Sequence, residues 1–83
     1  MTNTDVVLEM VAAERERQLA KWGEQSHSNV EWITVLAEEF GEAAQEVLRS
    51  HFGDKDQGDL VDELVQVAAV AVAHLECIIF GSA

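Results

Sequence analysis

The sequence predicts an all-α domain, an antiparallel bundle of three main helices that oligomerisation completes. Three observations carry this. Proline is absent from the 83 residues, and the chain is rich in Ala, Val, Leu and Glu, a composition that suits helices. Apolar residues recur at spacings of three and four in three separate stretches. Two polar, glycine-bearing segments divide those stretches.

The first helix is expected from about Asp5 to Lys21, with Thr4 or Asp5 as its cap. Val7, Leu8, Val11, Ala12, Leu19 and Trp22 fall on one arc of it. Arg15 lies in the middle of that arc and Gln18 near its edge. A charge placed there needs an anionic partner. Either a glutamate of a neighbouring helix or the phosphate of a ligand satisfies that need. Trp22 reads as a core anchor or as a platform for a ligand ring. Gly23 can end the helix, and 24–29 form a polar loop. His27 reads as a surface residue of that loop.

The second helix is expected from about Val30 to Ser50, capped by Ser28 or Asn29. Its main apolar stripe is Ile33, Leu36, Ala37, Phe40, Ala44, Val47 and Leu48. Glu39 flanks the stripe, and Glu42 lies nearly opposite it. Periodicity therefore leaves Glu42 in water unless a bundle or a dimer covers this helix on two faces. Gly41 costs about 1 kcal/mol against alanine in mid-helix, and it permits close approach of another helix or a ligand. A second loop is expected over 51–58.

The third helix is expected from about Asp59 to Phe80. It is apolar nearly all round between Val67 and Ala73, as a central helix packed on several sides is. Glu63 and His74 nevertheless lie within its broad apolar arc. His74 reads as a satisfied core histidine or as a group supporting a nearby metal site. The apolar stretch Leu64–Phe80 carries Gln66, His74 and Glu76, and is read as too short and too polar to span a bilayer.

The whole chain, 1–83, reads as one small domain whose core is marginal alone. Five basic residues stand against 16 acidic ones, a net charge of −11. Such a surface disfavours nucleic acid and anionic membrane as partners, and it favours a divalent cation. The lone Cys77 precludes an internal disulfide and fits a cytoplasmic setting. No signal-peptide pattern opens the sequence.

Glu39 and Glu42 are three residues apart, and so are Glu63 and Gln66. Each pair shares one helix surface. On facing helices the four oxygen-bearing side chains can reach one space, and carboxylates gathered there repel unless a cation sits between them. Oxygen ligands suit Mg²⁺, with Mn²⁺ as an alternative.

The stretch Glu38-Glu39-Phe40-Gly41-Glu42, followed by Glu63-Leu64-Val65-Gln66, resembles the MazG family of all-α nucleoside triphosphate pyrophosphohydrolases, whose pattern is EExxE followed by ExxD. Glu14-Arg15-Glu16-Arg17-Gln18, Lys21-Trp22-Gly23-Glu24-Gln25 and His27 also resemble small MazG-like proteins of phage and mobile elements. The resemblance implies helical subunits assembled as dimers or tetramers, with Mg²⁺ held by the acidic motifs. It implies cleavage of a nucleoside triphosphate to the monophosphate and pyrophosphate, as in house-cleaning of the nucleotide pool.

Under that resemblance Glu39, Glu42, Glu63 and Gln66 stand at the metal positions. Glu38 is an outer ligand or the base that orients the attacking water. Arg15 and Lys21 assist at the phosphates, while Trp22 and Gln18 meet the base. Gln66 departs from the family pattern, because its amide coordinates without neutralising charge. The competing expectations are a non-catalytic nucleotide-binding or regulatory protein on the same scaffold, and a structural helical oligomerisation module.

Overall fold

The computed structural model describes residues 1–52 and 58–83. Its three helices are α1 (Asn3–Trp22), α2 (Asn29–Phe52) and α3 (Gly58–Phe80), and no strand occurs among the described residues. The expected second loop, 51–58, falls largely outside the described residues; His51 and Phe52 belong to α2, and Gly58 opens α3.

Thr2, rather than Thr4 or Asp5, caps α1. The Asp5 amide donates to Thr2 Oγ1 at 3.1 Å, and the Thr2 amide donates back to Asp5 at 3.0 Å. This reciprocal pair needs an acid three residues after the cap, which selects Thr2 and makes Asp5 part of the first turn. Gly23 ends α1 as expected, at φ +72° with its amide on the Leu19 carbonyl. Ser28 and Glu31 form the same reciprocal arrangement at the start of α2.

α3 is the central helix. It packs against both α1 and α2, whereas α1 and α2 do not pack against each other among the described residues. By length and composition alone, Asp59–Phe80 is apolar enough to cross a membrane, contrary to the expectation from its sequence. Here it lies against α1 and α2 and holds His74 and Glu76 in polar contacts. The molecule measures 42 × 34 × 21 Å, so its thin dimension is about two helix diameters.

The core is small. Trp32, Val70, Ala73 and Ala83 form it, with Leu36 and Cys77 packed against them. Trp32 is its one large ring. His27 meets that ring edge-on at 4.9 Å, and His74 stacks on it at 6.0 Å. His74 therefore has a packing role, with a further hydrogen bond of 2.9 Å to Asn29. The backbones of Gln25 and Ala83 exchange two hydrogen bonds, which hold the α1–α2 connection against the segment after α3.

α2 is turned differently from the expectation. Its inward residues are Trp32, Leu36, Glu39, Ala43 and Glu46, all buried or half-buried. Ile33, Phe40, Val47 and Leu48, taken from the sequence as the main stripe, are exposed by about half or more. The two series differ by one residue, about 100° of rotation on a helix. Docking of Trp32 between His27, His74 and Cys77 selects the less apolar series for the interior. Trp22 likewise lies outside the core, 54% exposed, beneath the Lys21 ammonium at 4.8 Å.

Candidate metal centre and adjoining cleft

The rotation of α2 is what assembles the acidic group. Glu39 and Glu42 come from consecutive turns of α2, and Glu63 comes from the facing turn of α3. One carboxylate oxygen from each lies within 4.8 Å of the other two. Glu42, which periodicity placed in water, is exposed as a residue. Its carboxylate still reaches the group, because the α2–α3 seam runs beside it.

Three carboxylates held this closely are electrostatically unfavourable. Burial pushes the Glu39 carboxyl above the ordinary glutamate range, and the charges of Glu42 and Glu63 push it further. Burial also raises Glu63, followed by the charge of Glu42 and a hydrogen bond with it. Glu39 Oε2 and Glu63 Oε2 are both buried without a hydrogen-bond partner. Buried oxygens left this way are costly unless a proton or a cation meets them. The donors are all hard oxygens, the chemistry that Mg²⁺ and Mn²⁺ prefer. The residues present therefore fit a divalent ion.

Gln66 does not join this group through a carboxylate. It lines a neighbouring cleft of about 220 Å³, together with Arg15, Gln18, Trp22, Gln25 and Glu39. Glu39 is thus shared between the cleft and the acidic group. Glu38 is exposed, one turn before Glu42 on α2, and is not among the residues that line the cleft. Lys21 is also exposed, and its ammonium is engaged by the Trp22 ring rather than by the cleft.

Arg15 is the most constrained side chain of the cleft. It is buried, at 8% exposure. Its Nε donates to Glu76 Oε1 of α3 at 3.1 Å, and Nη1 donates to Gln18 Oε1 at 2.8 Å. The expected salt bridge to a neighbouring helix is therefore present. Arg15 lines the cleft, and its Nη2 is buried without a hydrogen-bond partner. A guanidinium fixed on two sides with one donor open suits an oxyanion.

Four contributors were given no role in the sequence reading. Trp32 was hidden by the more apolar series one residue away. Glu46 is buried at 8% exposure, pairs with Arg49 at 2.8 Å and retains a buried, unpaired Oε2. Its spacing of four from Glu42 and seven from Glu39 was the available signal. Glu76 was visible only as a polar break in an apolar helix. Ala83 carried no signal, because its burial comes from the pairing with Gln25. No family model matches the chain, and no curated protein or solved structure matches it either.

Proposed function

We propose that the chain is a Mg²⁺-dependent nucleoside triphosphate pyrophosphohydrolase of MazG-like type. The observation that supports this best is the convergence of Glu39, Glu42 and Glu63, two of whose buried oxygens lack any partner. An acidic protein of net charge −11 meets a polyanionic substrate only through cations and a few directed donors. Arg15, which lines the cleft beside the cluster and has an unpaired Nη2, is one such donor.

In this reading Glu39, Glu42 and Glu63 hold the cation, with the Gln66 side chain facing the cleft between it and the substrate. When bound, Mg²⁺ supplies charge compensation at the triphosphate and a more acidic attacking water. Arg15 donates to a phosphate oxygen, held in place by Glu76 and Gln18. Trp22 offers its exposed ring to the base, with Gln25 at the edge. Glu38, next to Glu39, orients the water. Water adds at the α-phosphorus and the bond to the bridging oxygen of the β-phosphate breaks, giving monophosphate and pyrophosphate. Such a substrate and the unpaired Cys77 accord with a cytoplasmic location.

The test is pyrophosphate release from a panel of nucleoside triphosphates with Mg²⁺ or Mn²⁺. Turnover by the wild type that Glu39→Ala abolishes is the expected result. Equal release by the two proteins across the panel would overturn the reading. One feature favours a second reading, nucleotide binding without hydrolysis: Gln66 is neutral where the resembled family carries an acid. Binding without turnover in the wild type, with turnover appearing in Gln66→Asp, would select it.

A further inference from the structure

The surroundings of the Cys77 sulfur hold polar groups that a thiol cannot use. Cys77 is the sole cysteine of the 83 residues, and it lies half-buried in the last turn of α3. The α1–α2 loop and the segment after α3 meet around it. Ser26 Oγ lies 3.9 Å from Sγ, the His27 carbonyl oxygen 3.7 Å and the Gly81 carbonyl oxygen 3.9 Å. Cys77 also packs against the core that Trp32 anchors.

The Trp32 indole is the group that stands out. The residue is 5% exposed, and its Nε1 is buried without a hydrogen-bond partner. A buried donor left in that state is costly. Its N–H acts on Sγ, and sulfur is too weak an acceptor to satisfy it. An oxygen atom bonded to that sulfur is a good acceptor in the same direction. The two carbonyls supply the complementary half. An S–H is a weak donor to them, whereas a hydroxyl carried on the sulfur is a strong one. A buried N–H for an oxygen and carbonyls for its proton are together what a sulfenic acid needs.

The same groups favour the reactive form of the thiol. A backbone hydrogen bond with His27, then the Trp32 indole, then the Ser26 hydroxyl hold Cys77 below the ordinary thiol range. The helix end opposes this, because the negative end of the dipole faces the sulfur. The donors outweigh it, and the thiolate is the nucleophile.

We propose that Cys77 is a peroxide-oxidation site, converted to a sulfenic acid that the Trp32 indole and the His27 or Gly81 carbonyl hold in place. The thiolate sulfur attacks one oxygen of hydrogen peroxide. The S–O bond forms as the O–O bond breaks, and an electron pair passes from sulfur to the departing oxygen. The hydroxide so released takes up the proton that the thiol gave away, and leaves as water. Sulfur is oxidised and peroxide is reduced. With no second cysteine in the 83 residues, the sulfenic acid goes on to a mixed disulfide with a small thiol from solution, losing water. None of the clustered carboxylates takes part, so the proposal stands whatever they bind.

Peroxide kinetics on the full chain test this. Hydrogen peroxide is added at neutral pH, and the sulfenic acid is trapped with dimedone and mapped to Cys77 by mass spectrometry. Folded wild type is expected to be labelled at least about threefold faster than the same chain unfolded in urea at the same pH. A smaller ratio would overturn the proposal, since exposure alone favours the unfolded chain. Trp32→Phe keeps a ring and removes the N–H, and it is expected to slow labelling at least about threefold. A folded Trp32→Phe protein with a smaller loss would count decisively against the indole's role. Should Trp32→Phe unfold, Ser26→Ala decides, because Ser26 is exposed and outside the core. Its labelling is expected to slow by about twofold or more, and a smaller effect would sink the proposal.

Discussion

Arg15 Nε lies 3.1 Å from Glu76 Oε1, joining α1 to α3 across 61 positions of chain. The side chains differ in exposure, 10% for arginine and 36% for glutamate. The glutamate therefore keeps some water, while the guanidinium depends on its partners. Removing Glu76 leaves a buried cation with one fewer acceptor. Glu76→Ala is expected to cost about 1–2 kcal/mol, below the ~3–5 kcal/mol of a fully buried pair because of the exposed partner. In a domain of this length that lowers the melting temperature by roughly 4–16 °C. Denaturant titration and a thermal scan check it.

The carboxylate group sets the pH dependence. Glu39 and Glu63 both have their carboxyls raised by burial first. A raised acid binds its proton more tightly in the folded state. Its stabilising effect is therefore complete below the ordinary glutamate range and is lost as pH rises through the raised value. Relative to Glu63→Gln, metal-free wild type is expected to lose thermal stability as the solution passes from acid to neutral, while the lowered carboxyls of Asp5, Glu14 and Glu31 contribute in the opposite direction in both proteins. Mg²⁺ at neutral pH is expected to restore it, by about 2.7 kcal/mol at a hundredfold excess over its dissociation constant. In Glu63→Gln the acid-to-neutral loss shrinks and the Mg²⁺ response falls by at least half. Differential scanning calorimetry with and without Mg²⁺ distinguishes these outcomes.

The two tryptophans are expected to behave oppositely. Trp32 is 5% exposed and anchors the core, whereas Trp22 is 54% exposed at the cleft. Trp32→Ala is expected to cost about 3–5 kcal/mol, a large share of the stability of any small domain. Trp22→Ala is expected to stay within about 0.5 kcal/mol of wild type and to weaken nucleotide binding. Chemical denaturation and nucleotide titration together read both effects.

Gln66 lines the cleft that Glu39 shares with the acidic group. Replacing its neutral amide by a carboxylate adds a hard, charged donor beside that group. Gln66→Asp is expected to tighten Mg²⁺ binding by about tenfold, the equivalent of ~1.4 kcal/mol. It is also expected to destabilise the metal-free protein at neutral pH. Calorimetric Mg²⁺ titration of both proteins gives the comparison.

Much of this architecture was legible in the residues. Three helices, their approximate ends, the turn at Gly23 and the need of Arg15 for an acid all follow from spacing and elementary electrostatics. The convergence of Glu39, Glu42 and Glu63 followed from two offsets of three on facing helices. The facing of α2 did not. Two 3.5-residue series run along it one position apart, and apolarity alone ranks Ile33, Phe40 and Val47 above Trp32, Glu39 and Glu46. Hydrophobic ranking assumes that the interior of one chain is the only place to bury a surface. It also cannot register that Trp32 gains His27 and His74 as partners from other segments. Trp22 was left between core anchor and ligand platform for a similar reason: a large ring at a helix end carries no mark of which side its neighbours lie on.

α3 is the sole packing partner that α1 and α2 have in common. Their connecting loop is tied elsewhere from Gln25, Ser26 and His27 to Ala83, Gly81 and Cys77. This wiring fixes an order of opening. α1 can leave the surface of α3 once Arg15 and the Gln25–Ala83 pairing release, while α2 and α3 stay zipped along Trp32 and the carboxylates. Amide protons of α1 should therefore exchange through a local opening, and those of central α3 only through global unfolding. The cleft sits on the hinge side of that opening, so its access is governed by the least tightly held of the three helices.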